Sequence, residues 1–159
     1  MKKLLLTLAL LAGPASVYGY KDADLEKLQT TNECKYCDLT GAKLIEANLP
    51  WADLTKAKLD RADLRRAWLE GAILSGAILT KAKLEGTVLT GTVLTGAKLE
   101  GADLTEATFD GATTFENADL KGTKISKKAL KADTTKDAGG KTLYNRLSLK
   151  QKNDYKNID

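Results

Sequence analysis

From Ala42 to Arg66 the chain reads AKLIE-ANLPW-ADLTK-AKLDR-ADLRR, blocks of five residues with Ala first and Leu third. The pattern extends in both directions. An apolar residue recurs at Leu39, Leu44, Leu49, Leu54, Leu59, Leu64, Leu69, Leu74, Leu79, Leu84, Leu89, Leu94, Leu99, Leu104 and Phe109. Two residues before each stands a small one: Ala in twelve of the fifteen units, Thr at Thr87 and Thr92, Cys at Cys37. The other three positions are mostly polar or Gly.

A period of five fits neither regular structure. On a helix, five residues advance the side chain by about 140° net, so the Leu series would spiral around the axis. On a flat strand, an odd step sends alternate Leu residues to opposite faces. Burying the whole series requires a backbone that turns once per five residues. Four turns make a square coil of 20 residues, and coils stack at about 4.8 Å with backbone hydrogen bonds between them. No coil buries its apolar side alone; stacking makes the core continuous.

Units such as Ala42-Lys43-Leu44-Ile45-Glu46, Ala62-Asp63-Leu64-Arg65-Arg66 and Ala102-Asp103-Leu104-Thr105-Glu106 resemble the A-(D/N)-L-x-x signature of the pentapeptide repeat family. The resemblance covers residues 37–125 and implies an all-β solenoid, a right-handed quadrilateral β-helix with Leu and Ala inward. The Cys34-Lys35-Tyr36-Cys37-Asp38-Leu39 entry is similar to that of periplasmic or lumenal members. The family resemblance implies a fold without assigning a function. After Phe109 the next apolar centre is Phe115, six residues on, then Leu120 and Ile125. One extra residue near Ala112-Thr113-Thr114 is therefore expected to bulge at a corner. The rod should hold about four and a half coils and stand roughly 20 Å tall.

Residues 1–19 read as a signal peptide. Lys2 and Lys3 precede a short apolar run from Leu4 to Ala12, broken at Gly13-Pro14, with Val17 and Gly19 before a cut at Tyr20. That run is far short of the roughly 20 residues a membrane span needs. The mature protein is expected outside the cytoplasm, in the periplasm, a thylakoid lumen or the extracellular space. Residues 20–36 form an N-terminal capping segment, with a short helix at 22–31, Asp22 as its N-cap, and Leu25 and Leu28 on one face. Residues 126–159 carry nine Lys or Arg against four Asp or Glu. There, residues 142–153 either form a weak helix that caps the other end or belong to a solvated tail.

Cys34 and Cys37 form a lone CxxC. Outside the cytoplasm such thiols should oxidise to each other, giving a disulfide that pins the lid to the first coil. A thiol-exchange site would need the pair at a helix N-terminus, and a coil strand follows instead. Two Cys with no His cannot close a zinc site.

The 159 residues carry 25 Lys plus Arg against 21 Asp plus Glu. This balance argues against a strongly basic nucleic-acid binder. Residues 39–125 hold eleven basic and twelve acidic residues, so they lack the dense negative surface of a DNA-mimicking inhibitor of a nucleic-acid enzyme, the alternative function class. With no His, Leu and Ala inside and no polar pocket, an enzyme with a small-molecule substrate is not expected, nor any cofactor or metal.

Stacking places residue n under residue n+20, so surface columns can be read directly. Lys43, Asp63, Lys83 and Asp103 alternate in sign; Arg66 falls over Glu46 and Arg65 under Glu85. The Arg61, Arg65, Arg66 cluster is thus expected to be neutralised by ion pairs, leaving no anion site. Two neighbouring columns differ: Asn48, Trp68, Val88, Thr108 and Asp53, Ile73, Val93, Thr113. With Trp51 at the corner below, Trp51, Trp68, Ile73, Val88 and Val93 form an exposed apolar patch, the candidate surface for a protein partner or a second copy. The competing reading is that β-branched residues simply suit extended backbone. The Thr55, Ser75, Thr95, Thr114 hydroxyl series is unsuited to ice binding, because its partner rank is Asp53, Ile73, Val93.

Overall fold

The computed structural model describes residues 19–126. The expected signal peptide, Gly19 excepted, and the C-terminal segment beyond Ser126, with its expected helix, lie outside the described residues.

Most five-residue units are built by the same hydrogen bonds. The Leu N–H donates upward to the next coil, as from Leu54 to the Ile73 carbonyl at 2.8 Å. The outward residue between Ala and Leu donates downward, as from Ile73 to Ala52 at 2.9 Å. The Ala N–H closes the corner on the preceding Leu, as from Ala72 to Leu69 at 2.9 Å. The last residue of the unit takes a positive φ, 56° at Arg66 and 65° at Gly71, and donates upward as well. That left-handed residue is what turns the chain every five positions.

Parallel one-residue bridges join outward positions of successive coils: Lys43 with Asp63, Asp63 with Lys83, Trp68 with Val88, Ile73 with Val93. At the C-terminal end they lengthen into a parallel pair of two-residue strands, β1 (Asp103–Leu104) and β2 (Lys124–Ile125). Inside, Leu39, Leu54, Leu59, Leu64, Leu69, Leu79 and Leu99 are fully buried, with the Ala residues beside them. Each Leu so buried contributes about 1.5–3 kcal/mol relative to an exposed one. Where Thr replaces inward Ala, its hydroxyl donates to a Leu carbonyl one coil down: Thr87 to Leu64 and Thr92 to Leu69, both at 2.8 Å.

The Asp of the A-D-L units has a local task. Its Oδ1 accepts the N–H two residues on, from Thr55 to Asp53 at 3.1 Å, Thr105 to Asp103 at 3.0 Å and Lys121 to Asp119 at 3.0 Å. A short carboxylate side chain thereby satisfies a corner N–H that otherwise faces water.

The extra residue lies where expected, with a consequence for register. Val88 still pairs with Thr108, but Val93 pairs with Thr114, Lys98 with Asp119 and Asp103 with Lys124. The column expected to end on Thr113 therefore ends on Thr114. Thr113 turns inward instead and bonds the Leu89 carbonyl at 2.8 Å. Across the shift, Phe109 and Phe115 meet edge to face with ring centres 5.6 Å apart.

At the N-terminus, α1 (Asp22–Thr31) buries Leu25 and Leu28 in the same apolar cluster as the coil leucines. Its N-cap is Lys21, not the expected Asp22. Lys21 is the extended residue, and Asp22 is the first with helical backbone. The Asp24 carboxylate then accepts the N–H of Asp38 at 2.7 Å, tying the helix to the first coil. The solenoid starts one unit earlier than the expected Cys37: Glu33 bridges Asp53, and Cys34 fills a Leu slot.

Candidate interaction surface

The corners leave four outward columns. Lys43, Asp63, Lys83, Asp103 and Lys124 make the first; Asn48, Trp68, Val88 and Thr108 the second; Glu33, Asp53, Ile73, Val93 and Thr114 the third; Asp38, Lys58, Ile78, Lys98 and Asp119 the fourth. The first and fourth are charged and laced across coils. Lys124 meets Asp103 at 3.0 Å and Lys58 meets Asp38 at 3.5 Å. Arg66 reaches Glu46 at 3.7 Å and Arg65 reaches Glu85 at 3.8 Å, the two pairs that stacking predicts. Arg65 also makes a tighter contact within its own unit, with Nε and Nη2 each 2.7 Å from Asp63. That fork holds the Asp63 carboxyl below the ordinary aspartate value, against the opposing effect of burial.

The second and third columns carry the sequence-predicted site residues. Trp68 stacks directly under Val88, and Ile73 under Val93. Trp68 is 59% exposed and Ile73 38%, while Val88 and Val93 are half-buried. Trp51, 74% exposed, sits at the corner between the two columns one coil down. Its backbone is left-handed, φ 60°, an uncommon state for so bulky a residue.

The Trp51 ring lies over Gly71, the corner residue above it. A Cβ at Gly71 would overlap Cε3, Cζ3 and Cδ2, all in the six-membered ring, so the flat of the indole faces the glycine. The missing side chain at Gly71 makes the seat. The five residues thus form one apolar wrap around a single corner. Ion pairs reach it at one edge, where Lys35 meets Asp53 at 3.1 Å. Asp53 is held below its ordinary value; burial pulls upward, and the Thr55 hydroxyl and N–H with Lys35 outweigh it.

Two further large apolar side chains are exposed. Ile45 occupies a corner position where the other units place Thr, Ser, Asp, Glu, Lys or Arg and, at Pro50, proline, an anomaly visible in the AKLIE block. Tyr36 takes the left-handed corner of the first coil, with the Lys56 ammonium 5.6 Å from its ring centre.

The sulfurs of Cys34 and Cys37 are at bonding distance, with Cα atoms 5.2 Å apart. They do not join the helix to the coil, as the sequence reading expected. Cys37 N–H donates to the Cys34 carbonyl across the first corner, so the bridge closes that corner itself. Both residues are buried, Cys34 in a Leu slot and Cys37 in an Ala slot.

The family model for pentapeptide repeats matches in 8 copies, over residues 33–71, 57–96 and 88–126, which together span more than half of the chain. The chain belongs to the pentapeptide repeat family. Among solved structures it is similar to a pentapeptide repeat protein from the Arabidopsis thaliana thylakoid lumen. The identity is 25%, over 71% of this chain and 86% of that one, with a TM-score of 0.60. It is also similar to a pentapeptide repeat protein from Nostoc PCC 7120, at 32% identity over 65% of this chain and 93% of that one, TM-score 0.51. No curated protein sequence matches it. The square coil of the pentapeptide repeat family is a right-handed quadrilateral β-helix, and the stacking seen here is that fold. No helix among the described residues is long and apolar enough to cross a membrane.

Proposed function

We propose that the protein is a non-catalytic, exported scaffold that binds a protein partner through the Trp51, Trp68, Ile73, Val88 and Val93 wrap. The observation that carries this reading is the exposure of two Trp side chains on adjoining, nearly uncharged faces. Of the other two faces, the column from Lys43 to Lys124 alternates in charge and the column from Asp38 to Asp119 is charged except at Ile78; each carries an ion pair. Exposed contiguous apolar area on a folded protein favours association, and Trp is a common anchor of interfaces. The Trp51 ring, seated on Gly71, is also preorganised, which lowers the entropy lost on binding.

Export is supported by the Lys2-Lys3 start and the apolar run after it, and by the similarity to a protein of the thylakoid lumen. In this reading α1 is a cap that covers the first coil and blocks end-to-end stacking. The Cys34–Cys37 bridge suits an oxidising compartment, where it staples the first corner.

Changing Trp68 and Val88 together to Lys tests the surface. The variant should keep the β-helix circular dichroism of the parent. It should lose the association measured by sedimentation and by capture from the native envelope. Unchanged association would defeat the reading.

A further inference from the structure

Resting on that reading, we infer that the partner is a polypeptide segment that sets an arginine, flanked by apolar residues, against Glu70 between the indoles of Trp51 and Trp68. Glu70 is the acidic interruption of the wrap. It lies two residues after Trp68 and one before Gly71, on which the Trp51 ring rests, and its carbonyl accepts the Trp51 N–H at 2.8 Å. Its side chain is exposed and makes no ion pair among the described residues. From Ala67 to Thr80 it is the sole charged residue, and Gly86 to Ala97 carries none.

A partner that covers both indoles must also cover Glu70, because a stable interface takes about 800 Å² from each side. A carboxylate stripped of water with no opposite charge opposes binding strongly. The neighbouring cations are engaged: Arg66 with Glu46, Lys35 with Asp53, and Lys56 over the Tyr36 ring. The counter-charge must therefore come from the partner. Arginine suits the place better than lysine, since its plane stacks on an indole while its fork meets a carboxylate. The half-buried Val88 and Val93 and the exposed Ile73 then receive the apolar flanks.

The test is selection from a random twelve-residue peptide display library, with the immobilised full chain as bait. Wild type should enrich peptides that carry Arg beside apolar residues. Glu70→Lys should enrich Asp or Glu in their place, and Trp68→Lys/Val88→Lys should enrich nothing. The best wild-type peptide should bind about tenfold more weakly to Glu70→Gln, and the same loss should follow from replacing its Arg by citrulline. Enriched peptides without Arg, or the same set on Glu70→Lys, overturn the arginine while leaving the apolar surface standing. If wild type enriches nothing beyond the double-Lys control, both the inference and the reading beneath it fail. A dimer that Trp68→Lys dissolves replaces the foreign partner with a second copy and also overturns the inference.

Discussion

The carboxylate of Asp110 stands in for a backbone carbonyl above Gly91, accepting its N–H at 3.0 Å. At neighbouring corners that role falls to the main chain, as where Gly71 donates to Thr90 and Gly96 to Glu116. The extra residue after Phe109 moves the chain out of register, and the side chain fills the gap. The same Oδ1 accepts from Ala112 and Thr113 N–H at 3.1 Å each. Asp110→Ala should lower stability by about 1 kcal/mol, as expected for lost hydrogen bonds at an exposed site. Urea unfolding measures this, and Asp110→Asn, which keeps an acceptor, should lose less.

Acid should weaken the rod progressively. Asp38, Asp53, Asp63, Asp103 and Asp110 all have carboxyls held below the ordinary 3.8. The Thr40 hydroxyl is the main cause at Asp38, the Arg65 fork at Asp63 and the Gly91 N–H at Asp110. At Asp103 burial works upward but is outweighed by Thr105 and Lys124. Such groups bind protons more tightly in the unfolded chain. Their contribution is complete above about pH 5 and is lost as pH falls through the depressed values. Urea midpoints at pH 7, 4 and 2.5 should fall in that order, and Asp63→Asn should flatten the profile. A profile level down to pH 2.5 would contradict this account.

Gly71→Ala should cost more than Gly96→Ala. Both glycines have positive φ, 65° and 67°, so both substitutions incur the left-handed penalty of about 1–2 kcal/mol. At Gly96 a Cβ meets nothing within 4 Å, whereas at Gly71 it collides with the Trp51 ring. The excess at Gly71 should disappear when Trp51→Ala is added. A double-mutant cycle followed by denaturant unfolding should give a coupling of about 0.5–3 kcal/mol.

Leu64→Ala should destabilise by about 2–5 kcal/mol, because the residue is fully buried and cannot be replaced by water. Ile45→Ala, at an exposed corner, should change stability by less than about 0.5 kcal/mol. Equal effects at the two positions would mean that the in–out partition of the unit is wrong.

The five-residue spacing of Leu with Ala two before it was enough to place Leu59 and Leu64 inside and to stack Lys43 beneath Asp63. Both follow from chain geometry, since a corner every five residues leaves no other way to bury the series. The stacking of Trp68 beneath Val88 and of Ile73 beneath Val93 was legible for the same reason, whereas the half-burial of the two valines was not. The Trp51–Gly71 contact was not: a glycine twenty residues from a Trp is unremarkable until stacking puts an indole face over it. Glu70 drew no notice for a similar reason, being an ordinary corner acid until its neighbours in space are known.

By itself, then, the sequence determined the period, the side of the coil on which each residue falls and the partner one coil away. The tertiary structure alone decided how the extra residue is absorbed, with Thr113 turned inward, Thr114 taking its column and Asp110 closing the gap. It also decided that Cys34 fills a Leu slot and that its bridge to Cys37 closes a corner instead of fastening the helix. The reason is physical: periodicity acts through each residue's own backbone turn, whereas these choices depend on which hydrogen bonds and cavities the coils above and below leave open.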